Sequence, residues 1–300
     1  MKSFKLLVFG NSYSNDALTY LSEIFLSAGY DEIIVGNISD GGCNINNHWQ
    51  NIDDTLECFH PAQADAIALD GTAGCSIKIN RVGKATEGEN IRVRYEKTVG
   101  AYDWDVVTIQ HGPNHVEQID TYSNLPRLIE FIKANLTGDK TKFIYHMIWK
   151  YNDNLTKEGQ RTCYRYGTIL DITKNFVLKH PEFENRVIPA ATLRQNLISS
   201  YLTDRDISRD YGHMGLTLGR YALGLLWYCY LTGGSVDDVS YVPKPEDASE
   251  ELRVKYKESH NHTHLEITEQ DLAVIKEAVT NALKNPYDIT PSAFTEGDAE

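Results

Sequence analysis

The sequence predicts an α/β fold in which helices cover both faces of a five-stranded parallel sheet. Two patterns favour this class: short apolar runs alternate with segments of helical period, and no internal repeat interrupts the alternation. The chain has 300 residues, which is long enough to bury a large core in one domain. We therefore expect a single three-layer α/β/α domain over residues 1–300.

The predicted strands are short apolar runs, as expected for strands buried on both faces. They are Lys5–Gly10, Glu32–Ile38, Trp104–Gln110, Lys142–Trp149 and Arg186–Pro189. The predicted helices carry an apolar face that repeats every three to four residues. They are Asp16–Ala28, Asn124–Leu136, Gly159–His180, Leu216–Leu231 and a C-terminal helix at about 268–283. At the start of the last helix, Thr268 and Asp271 have the spacing of a capping box.

Two segments do not fit a bare α/β domain. Residues 56–100 show little helical period and end in the alternating run Ile91–Tyr95, so we expect an inserted β-hairpin with loops there. Residues 233–266 are polar and contain Pro243 and Pro245, which is typical of a long surface connection.

The composition narrows the range of partners. The net charge of -13 argues against a nucleic-acid surface and against anionic lipid, because both require clustered Lys and Arg. No apolar run is long enough to span a membrane, and the run before Gly10 is too short for a signal peptide. We therefore expect a cytoplasmic protein, unless a leader has been trimmed. The oligomeric state stays open.

We expect no cofactor and no metal. The five cysteines are scattered without a CxxC pair, which argues against a disulfide scaffold and a zinc ribbon. The alternating histidines His260, His262 and His264 would share one face of a strand and could bind a metal there. They lie in a polar connection, however, and a solvated loop is the better interpretation.

Polar residues and glycines follow the first three predicted strands. Ser12 comes directly after the first strand, where open α/β sheets bind ligands. Gly41 and Gly42 follow the second strand and allow a backbone amide to approach a ligand. Asn114 follows the third strand, and its side chain can donate a hydrogen bond to an oxyanion. Taken singly, each residue also fits a helix cap or a turn.

Asp210 and His213 precede the predicted buried helix. His213 can act as a general base for a hydroxyl nucleophile, and a carboxylate three residues earlier can orient its ring. A lone pair of this kind is a weak signal. The combination of Ser, Gly, Asn and the Asp-His pair in one chain order is much stronger.

This combination resembles the SGNH (GDSL-like) hydrolase superfamily. The family's Gly-Asp-Ser block is similar to Gly10–Ser12, and its glycine block to Gly41–Cys43. Its Gly-x-Asn block matches Gly112–Asn114, and its Asp-x-x-His block matches Asp210–His213. The chain departs from the family at Asn11, which stands where the family has aspartate. That position is outside the catalytic triad, so the departure concerns the subfamily.

The resemblance implies a flavodoxin-like fold and a carboxylic-ester hydrolase that works through an acyl-enzyme. It implies Ser12 as the nucleophile, with Asp210 and His213 completing the triad. The implied oxyanion hole consists of the Ser12 amide, the Gly42 amide and the Asn114 side chain. Gly41 is the alternative to Gly42 as the amide donor.

The implied substrate is an ester of a small molecule or carbohydrate, above all an O-acetyl group on a carbohydrate. His48, Trp49, His111 and His115 lie close in sequence to the predicted catalytic loops, and we expect them to shape the substrate pocket. Two alternatives stay open: a lipase or thioesterase of the same fold, and a non-catalytic carbohydrate-binding relative. A nucleotide binder is less favoured, because the loop after the first strand lacks the glycines and lysine of a P-loop.

Overall fold

The computed structural model describes residues 2–52, 62–70, 76–83, 91–149, 165–202, 204–210, 212–248, 250, 254 and 265–295. Among these residues the strands are β1 (Ser3–Gly10), β2 (Glu32–Ser39), β3 (Ala62–Asp70), β4 (Ser76–Gly83), β5 (Val106–Gln110), β6 (Lys142–His146) and β7 (Val187–Ile188).

The main sheet has the order β2-β1-β5-β6-β7, and all its strands are parallel. Numbered along the chain, its five strands therefore run 2-1-3-4-5, which is the flavodoxin-like order of doubly wound α/β proteins. Every residue of β5 is buried, as is every residue of β2 after the first. This burial explains why the strands read as continuous apolar runs, and the predicted five-stranded parallel sheet is confirmed.

The predicted insertion contains a hairpin, but its end was predicted wrongly. Strands β3 and β4 pair antiparallel, whereas Ile91–Val99 forms a helix and not a strand. Tyr95 and Val99 are both buried and lie four residues apart on one helical face. The alternating run Ile91–Tyr95 has the period of a strand, whereas the buried pair of Tyr95 and Val99 has the four-residue spacing of the helix that forms there.

The described helices are α1 (Ser12–Leu18), α2 (Leu21–Ser27), α3 (Ile45–Ile52), α4 (Ile91–Val99), α5 (Leu125–Asn135), α6 (Tyr166–Asn175), α7 (Ala190–Ile198), α8 (Asp204–Ile207), α9 (Leu218–Thr232) and α10 (Glu269–Lys284). The predicted helix over Asp16–Ala28 is thus two helices, separated at Thr19 and Tyr20. Three further helices, α3, α7 and α8, were not predicted from the sequence.

The chain divides into two compact units. The first consists of residues 1–15, 29–146 and 171–187, and its core includes Phe9 with the ring of Tyr95 at 6.1 Å. The second consists of residues 16–28, 147–170 and 188–300. Within the second unit α2 packs on α9, where the rings of Phe25 and Tyr228 meet edge to face at 5.3 Å.

Helix α10 begins with the predicted capping box. The Thr268 side chain accepts the Asp271 N–H over 3.1 Å, and Asp271 accepts the Thr268 N–H over 2.9 Å. Together these bonds satisfy two backbone donors at this helix start. None of the helices in the described ranges has the length and apolarity needed to cross a membrane.

Candidate active site

The start of α1 presents one serine to solvent and buries the other. Ser12 is partly exposed, whereas Ser14 is fully buried. The Ser14 hydroxyl donates to the Asn11 carbonyl oxygen over 2.7 Å and accepts the Asn11 N–H over 3.1 Å. A Cβ atom at Gly10 would collide with that hydroxyl, so the close approach requires glycine. Ser12 is therefore the serine that a substrate can reach.

The loops after β1, β2 and β5 meet at the carboxyl edge of the sheet. Strands β1 and β5 are neighbours at the point where the strand order reverses, which is where such sheets bind ligands. The Asn11 side chain donates to the carbonyl oxygens of Cys43 and His111 over 2.8 and 3.2 Å. A Cβ atom at Gly112 would lie 2.9 Å from the Gly42 carbonyl oxygen. The first unit thus brings together the three loops predicted to carry the nucleophile and the oxyanion donors.

Within these loops the glycines and the asparagine lie at the surface. Gly41, Gly42 and Asn114 are exposed, and Gly42 adopts a positive φ of 69°. The Gly41 N–H donates to the Asp40 carboxylate over 2.7 Å. Of the two amides expected as alternative oxyanion donors, the Gly41 amide is therefore already hydrogen-bonded within its own loop.

His48 occupies a different place from the substrate-contacting one that we expected. It is fully buried: Nε2 donates to the Gly10 carbonyl oxygen over 3.1 Å, and Nδ1 accepts from the Tyr95 hydroxyl over 3.3 Å. Burial lowers its pKa to about 4 against the smaller opposing effect of the Gly10 carbonyl, so the ring is neutral at pH 7. His48 therefore lies in the core and binds the backbone at the end of β1.

His111 is likewise a support of the loops and not the expected substrate contact. Its Nδ1 accepts the Ile45 N–H over 3.3 Å, and Nε2 lies 2.7 Å from the Thr121 hydroxyl. Its ring stacks on Tyr122 with centroids 3.9 Å apart. Burial, with the nearby His115 and His48, lowers its pKa to about 3.

Trp49 and His115 are partly exposed, so their predicted role in a pocket stays a prediction. His115 Nδ1 lies 3.2 Å from the Gln118 side-chain oxygen. The Arg127 guanidinium lies over the Trp49 ring at 6.0 Å. Both residues belong to the first unit, as do the three loops.

In the second unit, Asp210 and His213 form a tightly held pair. One carboxylate oxygen lies 2.7 Å from His213 Nδ1, and the other accepts the N–H groups of His213 and Gly212 over 2.8 and 2.9 Å. Burial raises the pKa of Asp210, but the His213 ring and the two backbone donors outweigh it and lower the pKa to about 2. Asp210 is thus ionised at pH 7 and accepts the Nδ1 proton, which leaves the lone pair on Nε2.

Sequence reasoning did not identify the buried ionic cluster that holds this loop. Asp16 is fully buried, and one of its oxygens accepts from Arg209 over 2.6 Å and from Arg220 over 2.9 Å. Its other oxygen accepts the Met214 N–H over 3.0 Å. Trp149 donates to the Gly212 carbonyl oxygen over 2.7 Å. The backbone of the loop that carries Asp210 and His213 is therefore held by the ionic cluster at Arg209 and Met214 and by Trp149 at Gly212. In the sequence, the only sign of this cluster is that Arg209 stands beside Asp210.

Within the described ranges, no cluster of three or more His, Cys, Asp or Glu side chains has the arrangement of a metal site. His260, His262 and His264 lie outside the described residues.

The strand order and the loops at its carboxyl edge define a doubly wound α/β protein with a candidate site at the switch point of its sheet. The chain belongs to the DUF4886 family, a domain of unknown function, whose model matches residues 5–261. The crystal structure of a DUF4886 family protein from Bacteroides uniformis is similar, with 26% identity and a TM-score of 0.72. The match covers 97% of this chain and 98% of that one. None of the curated proteins with which the chain was compared matches it.

Proposed function

We propose that the protein is a serine hydrolase that cleaves carboxylic esters through an acyl-enzyme. The observation that carries the proposal is the Asp210–His213 pair, with 2.7 Å between the carboxylate and Nδ1. In Ser-His-Asp enzymes this arrangement holds the imidazole in the tautomer that can take a proton on Nε2. The His213 ring and two backbone N–H groups lower the pKa of Asp210, so its carboxylate is ionised at pH 7, as that role requires.

The proposed reaction has two steps. The Ser12 oxygen attacks the ester carbonyl carbon while its proton passes to His213 Nε2; the bond to the alkoxy oxygen then breaks, and the alcohol leaves with that proton. A water molecule next gives a proton to Nε2 and attacks the acyl-enzyme. The carboxylic acid leaves as the proton returns to Ser12. The partial exposure of Ser12 supports its role, because Ser14 is buried and bonded to the backbone.

The developing oxyanion would be bound by donors from the three loops of the first unit. These donors are the Ser12 amide, the Gly42 amide and the Asn114 side chain. The exposure of Gly42 and Asn114 and the close packing of Gly112 on the Gly42 loop support this assignment. Preorganised donors of this kind act where charge develops, so each contributes to the transition state more than to substrate binding.

The substrate class that we propose is an O-acetyl ester of a carbohydrate, on the basis of the resemblance to SGNH hydrolases. The first test compares hydrolysis of p-nitrophenyl acetate, butyrate and octanoate by the wild type and by Ser12→Ala. Serine-dependent cleavage that favours acetate supports a small-acyl esterase and directs the search to acetylated sugars. A preference for octanoate would instead indicate a lipase or thioesterase.

A fluorophosphonate probe gives a second test that needs no knowledge of the substrate. Mass spectrometry should find the label on Ser12 and not on the buried Ser14. Ser27→Ala serves as a control, because Ser27 lies in α2 and its hydroxyl only donates to the Ile24 carbonyl oxygen. Absence of both labelling and ester cleavage would contradict the proposal and favour a non-catalytic relative.

A further inference from the structure

The Asn11 side chain uses all its hydrogen-bonding capacity inside the first unit. It is fully buried, and its Nδ2 donates to the carbonyl oxygens of Cys43 and His111 over 2.8 and 3.2 Å. Its Oδ1 accepts the Tyr13 N–H over 3.0 Å and a Gln110 side-chain N–H over 2.6 Å. One amide therefore joins the loops after β1, β2 and β5.

The direction of these bonds is fixed. The carbonyl oxygens of Cys43 and His111 can only accept, so the atom facing them must be Nδ2. Oδ1 then faces Gln110 Nε2, which leaves Gln110 Oε1 to accept from His146 Nδ1 over 2.6 Å. His146 is fully buried, and burial lowers its pKa to about 3, so the ring is neutral with its proton on Nδ1. Each residue of this chain therefore donates a hydrogen bond to the next: His146 of β6 donates to Gln110 of β5, and Gln110 donates to Asn11 in the loop after β1.

A carboxylate cannot replace the amide in this network. It has no proton to donate, and its oxygen would face the two carbonyl oxygens that Nδ2 now binds. A buried donor–acceptor contact changed to acceptor–acceptor leaves several buried polar atoms without a partner. The aspartate of the Gly-Asp-Ser block is therefore not equivalent to Asn11 in this chain.

We propose that Asn11 is a positioning residue that holds the loops of Ser12, Gly42 and Asn114 in one arrangement, and that this role requires an amide at position 11. Its relevance to catalysis rests on the proposed esterase function, whereas the joining of the loops does not. Cys43 follows Gly42 directly, and His111 precedes the stretch that carries Asn114. Release of either carbonyl from Nδ2 would free the adjacent oxyanion donor to move.

The test is Asn11→Asp, with Asn46→Asp as the matched control. Asn46 is partly exposed, and its side-chain oxygen accepts the Asn124 N–H over 3.2 Å, a role that a carboxylate also fills. Thermal unfolding is measured from pH 8 to pH 5.5 for both variants and the wild type. The Tm of Asn11→Asp should lie well below the wild-type Tm at pH 8, and the gap should narrow as pH falls, because a protonated carboxyl regains one donor. Asn46→Asp should show no such narrowing.

Ester hydrolysis gives an independent reading. The kcat/KM of Asn11→Asp on p-nitrophenyl acetate, relative to wild type, should rise up to about tenfold for each pH unit of acidification while the buried carboxyl is mostly ionised. If Asn11→Asp does not fold at any pH, Gln110→Glu replaces it, because it removes the donor to Asn11 Oδ1 and regains it on protonation. The same narrowing of the Tm gap is then expected.

The outcomes separate the two proposals. A wild type without serine-dependent hydrolysis refutes the proposed function, and the Tm gap still tests the role of Asn11. An active wild type whose Asn11→Asp variant matches Asn46→Asp in Tm and in kcat/KM at every pH overturns the inference and leaves the function intact. A Tm gap that stays constant with pH also overturns it, whether it is measured on Asn11→Asp or on Gln110→Glu in its place, because simple loss of packing does not depend on pH.

Discussion

Three buried histidines should make the first unit sensitive to mild acid. His48, His111 and His146 are each fully buried, and burial lowers their pKa values from 6.5 to about 4, 3 and 3. In the unfolded chain these rings take up protons as the pH falls through about 6.5, whereas in the folded protein they stay neutral until about 4 or below. Stability from their burial is therefore complete above pH 6.5 and is lost progressively toward pH 4.

The expected loss is large relative to the stability of an ordinary domain. Between pH 7 and pH 5, each group with an unfolded pKa of 6.5 and a folded pKa of 4 or below lowers the free energy of unfolding by about 2 kcal/mol. The three together give about 6 kcal/mol, against a typical total of about 5–15 kcal/mol. We expect the protein to lose much of its stability at a pH where most carboxylates are still ionised.

Urea titrations at pH 7 and pH 5 test this expectation, with His48→Gln as the informative variant. Glutamine keeps a donor near the Gly10 carbonyl oxygen and removes the titrating ring. The loss of unfolding free energy between the two pH values should be smaller than in the wild type by about 2 kcal/mol. Tyr95→Phe is the control, because it removes the hydroxyl that His48 Nδ1 accepts over 3.3 Å but leaves the histidine in place.

The comparison uses the pH-dependent difference and not the stability at one pH, so a general loss of packing in either variant cancels. Tyr95→Phe should therefore follow the wild-type pH dependence even if it is less stable. An equal loss in His48→Gln and in the wild type would refute the reasoning, since His48 would then have the same pKa in the folded and unfolded chain.

Three further predictions concern the proposed chemistry. Asp210→Asn should lower kcat by roughly 10³–10⁴-fold, because the new Nδ2 would donate to His213 Nδ1 and move the ring proton to Nε2, as 1H NMR of the imidazole protons can verify. Asn114→Ala should lower kcat by roughly 10²–10³-fold with little change in Tm, since the side chain is exposed; an equal loss in the exposed neighbour variant Asp120→Ala would contradict this. EDTA should leave ester hydrolysis unchanged, and a loss that zinc restores would instead implicate His260–His264.

The regular elements were predictable where a single apolar pattern dominates. Strands β1, β2 and β5 are buried on both faces, and their continuous apolar runs predicted the parallel sheet. Helix α7 is also completely buried, but it was missed because its nine buried residues include polar ones, such as Arg194 and Asn196, which mark no exposed face. Periodicity reports a boundary between core and solvent, and an element without that boundary has no helical signature.

The residues of the candidate site divide in the same way. Asn114 and Gly42 are exposed, as expected from their place at the carboxyl ends of strands. His48 is also close in sequence to these loops. It is buried, however, because it lies on the inner face of α3, a helix that the sequence did not predict. Proximity along the chain predicted which loops meet, but the direction of each side chain depends on the element that carries it.

The contrast between Asn11 and the aspartate of the Gly-Asp-Ser block follows from the same distinction. A sequence motif compares residue types alone. At that level the exchange of aspartate for Asn11 affects only a position outside the proposed triad. In the fold, that position faces two carbonyl oxygens and the side-chain N–H of Gln110, so it needs two donors and one acceptor on a short side chain. Asparagine is the residue that meets this demand at pH 7, since aspartate is ionised and glutamine is one methylene longer. The identity of residue 11 is therefore set by its buried partners, above all by the backbone carbonyl oxygens of Cys43 and His111, which accept from Nδ2 and which no side-chain exchange at those two positions removes.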